Sequence, residues 1–124
     1  MRSSGAVLDK DTNKVKFENL TVTQNGTTVT VAFDWSIWAK NNGEIDQLLV
    51  SVNGKVVEIL FDGIAGNNGK TGNANVTFDL GRYPVAGGKY NIEVGFCEDY
   101  GAAQAKKQYE AGHGYRFVVG YVEQ

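Results

Sequence analysis

One cysteine, one histidine and one proline are spread over 124 residues, and the only methionine is the first residue. Each scarcity excludes something. Cys97 has no second cysteine to pair with, so an internal disulfide is impossible and the redox compartment cannot be read from it. His113 standing alone excludes a histidine-based metal cluster, and any Ser–His–acid triad would have to use it. No apolar run approaches the roughly 20 residues that a membrane-crossing helix needs. The opening stretch MRSSGAVLDKDTN holds no apolar segment of secretory length, so export by that route is not expected of the chain as written. A chain complete in this form would be cytoplasmic or part of a virion. Twelve basic side chains face fourteen acidic ones, a net charge of −2. That balance gives no electrostatic pull toward a nucleic-acid backbone or an anionic membrane.

What is present points to strands. Residues 1–124 suit one domain, with 1–13 expected as a flexible N-terminal segment, and 42% hydrophobic content suffices for one core. From Thr28 to Trp38 the odd positions Val29, Val31, Phe33, Trp35 and Ile37 are apolar. The even positions Thr28, Thr30, Asp34 and Ser36 are polar. Side chains alternate faces along a strand, so this pattern is one dry face and one wet face. Leu48, Val50 and Val52 repeat it, as do Val76, Phe78 and Leu80, then Tyr90, Ile92, Val94 and Phe96, and finally Tyr115, Phe117, Val119 and Tyr121. Near the start, Val15 and Phe17 fall on odd positions but Leu20 and Val22 on even ones, a phase slip that predicts a bulge. Asn53-Gly54 between two apolar runs predicts a type I′ hairpin. About seven strands, punctuated by Gly and Asn, predict an all-β antiparallel sandwich.

Residues 101–112, GAAQAKKQYEAG, depart from this pattern: good helix formers with no β-branched side chain. Ala102, Ala105 and Tyr109 can share a face, and Gly112 is placed to stop a helix. A helix this short is marginal alone, so it is expected to dock on the sandwich as an insertion near 101–111.

Residues 75–103, NVTFDLGRYPVAGGKYNIEVGFCEDYGAA, resemble the second half of a fibronectin type III domain. Leu80 ends a strand, Pro84, Gly87 and Gly88 form a link, and Tyr90, Ile92 and Val94 open the next strand toward Gly101. Trp35 resembles the family's buried tryptophan. The resemblance implies an immunoglobulin-like or fibronectin III-like sandwich that binds through its end loops. Its spacing Leu-Gly-Arg-Tyr-Pro departs from the family's shorter Leu-x-Pro link, and fold alone does not assign function.

The stretch GIAGNNGKTG at 63–72 ends like a phosphate-binding loop, yet that motif needs glycine at position 64, where isoleucine stands. A strand pattern follows Thr71 in place of a helix, so a connection between strands is expected. His113 between Gly112 and Gly114 is poorly placed to act as a fixed base, and Cys97, out of phase with its neighbours, is expected to face outward as an unreactive thiol. Glu93, Glu98 and Asp99, with Asp62, Asn67, Asn68 and Asn73, could offer oxygens to Ca²⁺, but solvated loop acids are the favoured reading and no cofactor is called for. The Asn-x-Thr triplets at Asn19, Asn25 and Asn75 are read as accidents of a Thr- and Asn-rich strand protein.

The aromatic residues supply the binding candidates. Trp38 takes an outward position, while Tyr83, Tyr100 and Tyr109 lie in or beside loops. Exposed rings can stack on sugars or anchor a protein interface, although Trp38 could instead cover the segment 101–112 or fold over the end of the sandwich. No set of nucleophile, base and oxyanion donors can be assembled, so an enzyme is not expected. The leading expectation is an interaction or structural module that binds a protein partner or itself, as a virion or surface-assembly component would. The alternative is a carbohydrate-binding module.

Overall fold

The computed structural model describes residues 2–3, 6–10, 13–39, 45–83, 86–98 and 101–123. Two antiparallel sheets stack face to face. The first holds β1 (Arg2–Ser3), β2 (Ala6–Lys10), β3 (Asn13–Asn25), β4 (Thr28–Ala39) and β7 (Lys70–Asp79). The second has the order β6 (Lys55–Ile64), β5 (Ile45–Val52), β8 (Lys89–Glu98), β9 (Tyr115–Glu123). The short strands β1 and β2 both pair with β3, β1 at Leu20–Thr21 and β2 along 13–17. The chain crosses between sheets from β4 to β5, from β6 to β7 and from β7 to β8.

The alternation that marked the strands also sets the core. Val29, Val31, Phe33, Trp35 and Ile37 on β4 all turn inward and are buried. They meet Leu48, Val50 and Val52 of β5 and Tyr90, Ile92, Val94 and Phe96 of β8 from the opposite sheet. The slip on β3 is a bulge: Glu18 pairs with Asp34 and Thr21 with Ala32, so Asn19 and Leu20 together oppose Phe33. Asn19 takes a left-handed φ of 55°, which asparagine tolerates better than most residues, and its Nδ2 donates to Asp34 Oδ2 at 3.0 Å. The extra residue lets Phe17 and Leu20 both point inward.

Asn53 and Gly54 join β5 to β6 with both φ positive, at 48° and 82°, as a type I′ turn requires. The Asn53 side chain extends this turn sideways: Oδ1 accepts from the Asn91 amide at 2.9 Å, and the Asn53 amide donates to the Asn91 carbonyl at 3.0 Å.

The single α-helix among the described residues, α1 (Ala102–Glu110), connects β8 to β9. Gly112, at φ 96°, ends it: its amide donates to the Tyr109 carbonyl and the His113 amide to the Gln108 carbonyl, the paired bonds of a Schellman stop. Leu49, Val56 and Cys97 on the outer face of the second sheet, joined by Ala105 and Tyr109 of α1, form a second small core. The helix therefore docks on the second sheet, while Trp38 lies on the first and does not cover it.

Candidate interaction surface

β9 is one of the two outermost strands of its sheet, β6 being the other. It carries three of the large exposed apolar side chains: Phe117 at 40%, Val118 at 41% and Tyr121 at 53%. A bulge explains this. Ile92 pairs with Gly120 but Glu93 pairs with Val118, so Val119 is an extra residue on β9. Tyr115 and Phe117 point inward before it, and Val122 points inward after it. Tyr121 is thereby turned outward, which corrects the expectation that it shares a face with Tyr115 and Phe117. Phe117 reaches the rim between the sheets, where its ring meets Phe17 edge-on at 5.6 Å. Lys89 Nζ lies 4.6 Å from the centre of the Tyr121 ring.

The other long edges differ. Along β7 the outward positions are Thr71, Asn73, Asn75, Thr77 and Asp79, all polar and exposed. Along β6 the exposed positions are Lys55, Glu58, Asp62 and, at its end, Ile64, and two register shifts interrupt the pairing with β5. Charged side chains and bulges are what keep an edge from pairing with another chain. On β9 the one bulge is flanked by apolar side chains, so its edge is the least protected of the three.

Beside β9, beneath α1, lies a buried polar chain. Glu93, only 5% exposed, accepts at Oε1 from the Ser51 hydroxyl and from the Gly54 amide, each at 2.8 Å. Ser51 has one proton and gives it to the carboxylate, so at 2.7 Å the Tyr109 hydroxyl is the donor to Ser51 Oγ. Arg116 Nη1 of β9 stands 3.8 Å from Glu93 Oε2, with its guanidinium 5.8 Å from the centre of the Tyr109 ring. Burial, above all other influences, pushes the Tyr109 phenol well above its ordinary range. Glu110 Oε2 accepts from the Val56 amide at 2.9 Å and ties the end of α1 to β6. Two expectations are corrected here. Glu93 does face out of the sandwich, but α1 keeps it from water. Tyr109 is 1% exposed and is not an open aromatic, because its ring fills the space over Gly95 and its hydroxyl joins this chain. The run Leu48-Leu49-Val50 carried the missed signal: apolar side chains on consecutive positions mean both strand faces are covered.

The remaining candidates lie apart. Trp38 is 39% exposed on the outer face of the first sheet, opposite Lys14, and no second aromatic ring shares that face among the described residues. Tyr83 is half-buried with its ring 5.6 Å from Phe78, near the far end of the sheet where Thr28 pairs with Asp79. The ten residue steps from Thr28 to Trp38 span roughly 33 Å, so Trp38 and Tyr83 cannot form one platform. Tyr100, Pro84 and Asp99 lie outside the described residues.

Cys97 faces outward but is fully buried under α1, with Sγ 3.9 Å from the Ala105 carbonyl. Burial raises its thiol from 9.0 to about 11, which disfavours the thiolate a nucleophile needs. His113 is exposed in the turn after α1. No group of three or more metal-capable side chains occurs among the described residues. Lys70 opens strand β7, so no helix N-terminus follows the GIAGNNGKTG loop. Comparisons with protein-family models, with curated proteins and with solved structures found no match.

Proposed function

We propose that this chain is a non-catalytic interaction module of fibronectin type III-like character, which engages a protein partner by adding a strand to β9. The observation that carries this reading is the exposure of Phe117, Val118 and Tyr121 on an outermost strand, while the β7 edge is polar along its outward row and the β6 edge is interrupted by exposed Lys55, Glu58 and Asp62 and by two register shifts. An extended partner segment would satisfy the edge backbone groups and cover these side chains, the two sources of affinity and specificity in strand addition. The family reading is supported by the division of the long strands into three (β3, β4, β7) and four (β6, β5, β8, β9), and by Trp35 buried on β4. The non-catalytic reading is supported by a buried, protonated Cys97 and a loop-borne His113.

The test is selection from a displayed library of extended peptides with alternating apolar residues, followed by amide hydrogen exchange. Bound peptides are expected to slow exchange along 115–123 and to lose at least about tenfold in affinity against Val118→Lys, a change worth roughly 1.4 kcal/mol. Binding that ignores Val118→Lys and protects another region would refute the reading.

A further inference from the structure

Resting on that reading, we infer that the partner is a second copy of this chain, its β9 antiparallel to the first across a two-fold axis, with Arg116 opposite Glu123. The strand reads Arg-Phe-Val-Val-Gly-Tyr-Val-Glu from 116 to 123, a cation at one end, an anion at the other and apolar residues between. Turned end for end against itself, it sets Arg116 against Glu123, Phe117 against Val122, Val118 against Tyr121 and Val119 against Gly120.

Face matching makes this register workable. Directly opposed residues of an antiparallel pair share a face. Arg116 and Glu123 are seven positions apart, so on an uninterrupted strand they would point to opposite faces. The extra residue Val119 changes the phase. Arg116 pairs with Gly95 and Val118 with Glu93 on the outer face of the sheet, and beyond the bulge Tyr121 pairs with Asn91 and Glu123 with Lys89 on that same face. Phe117 and Val122, opposite Val94 and Tyr90, share the inner face. All three opposed pairs outside the centre thus match face to face, and two ion pairs form, one from each copy's Arg116.

The surface chemistry agrees. Tyr121 and Val118, both on the outer face, would cover each other across the axis. The Arg116 side chain is 43% exposed and 3.8 Å from Glu93, which leaves guanidinium donors free for a second carboxylate. The Glu123 carboxylate is exposed and makes no ion pair among the described residues. An isologous contact of this kind closes on itself, so it ends at a dimer and does not propagate. One strand per copy is at the small end of interface sizes, under about 1,200 Å², so a weak, concentration-dependent dimer follows.

Light scattering over a concentration series is the first measurement. The wild type is expected to move from monomer to twice that mass between about 10 µM and 1 mM, the range that a small interface implies. Glu123→Lys sets lysine against Arg116 and should leave only monomer, and so should Arg116→Glu, with folding checked by circular dichroism. An equimolar mixture of these two variants restores both opposite-charge pairs and should recover the dimer mass. Should Arg116→Glu unfold beside Glu93, Arg116→Gln replaces it as the monomeric variant, and a second assay fixes the register. Mixed Val118→Cys and Tyr121→Cys proteins should form an intermolecular disulfide at least about tenfold faster than either alone. Like residues in this register lie roughly 10 Å apart along the strand, beyond disulfide reach. A dimer indifferent to the charge changes, or cross-linking through other pairs, overturns the register. A wild type that stays monomeric at 1 mM yet binds extended peptides at β9 overturns self-pairing alone; a monomer whose β9 binds no such peptide removes the strand-addition reading as well.

Discussion

The hydroxyl of Tyr109, in the last turn of α1, donates to Oγ of Ser51 on β5, and Ser51 donates in turn to Glu93 on β8. Helix and two strands are thus tied by one directed chain that ends on a carboxylate. Its two links carry unequal weight. Tyr109→Phe removes one donor and leaves Ser51 bound to Glu93, so a loss of about 1 kcal/mol is expected in urea unfolding. Ser51→Ala strips a buried carboxylate of a donor and orphans a buried phenol, so about 2–3 kcal/mol is expected. In the double variant the losses should fall short of additive, because both changes remove the same bond.

Gly72 on β7 sits opposite Trp35 on β4, and the indole lies over the glycine where a side chain would stand. A Cβ there would collide with the ring, whose Nε1 is buried without a hydrogen-bond partner. Gly72→Ala is therefore expected to cost about 1–3 kcal/mol by forcing the indole aside. In a Trp38→Phe background, tryptophan emission reports Trp35 alone and should shift to the red. An unshifted spectrum with unchanged stability would mean that the ring has room to spare.

The sandwich was legible in the sequence because burial follows a two-residue period wherever a strand has one dry face. Residues 29–37 obey it, and even the bulge at Asn19 was announced by its phase slip; 48–52 and 90–96 keep the inward row but are buried on the outer face as well. Tyr121 was misplaced because the bulge at Val119 leaves no such mark: Tyr115, Phe117, Val119 and Tyr121 keep an unbroken apolar alternation straight through it. Tyr109 was misplaced for another reason. Its helix was expected, but which sheet received it depended on Leu49, Val56 and Cys97 lying together across three strands, and no local pattern encodes that juxtaposition. The edge character of β9 belongs to the same class, since strand order is a property of the whole chain.

Trp38 makes a clean comparison between stability and recognition. At 39% exposure more than half of its surface is still covered, so Trp38→Ala should cost about 1–2 kcal/mol, short of the roughly 3–5 of a core tryptophan. If sugars are a ligand, a glycan array should lose its signal with this variant. No signal from the wild type would remove the carbohydrate alternative, which rests on this one exposed ring.

Alkaline pH should expose the buried thiol. In the unfolded chain Cys97 ionises near its ordinary 9.0, whereas in the folded protein burial holds the proton to about 11. The folded state therefore keeps its full advantage below pH 9, loses it progressively as the pH rises toward 11, and loses no more from this group once both states are ionised. The slope between those values is at most about 1.4 kcal/mol per pH unit. Tyr109, raised by the same burial, adds a second loss that begins near pH 10, where its unfolded phenol ionises. Cys97→Ala should abolish the earlier component and leave the later one, so the stability curves of wild type and variant should diverge above pH 9 with the wild type falling faster. A thiol reagent at pH 8 should label native protein only at the rate at which α1 lifts from the sheet, and Tyr109→Phe, which loosens that helix, should raise the rate. Rapid labelling of the native wild type would contradict the burial on which both parts of this expectation depend.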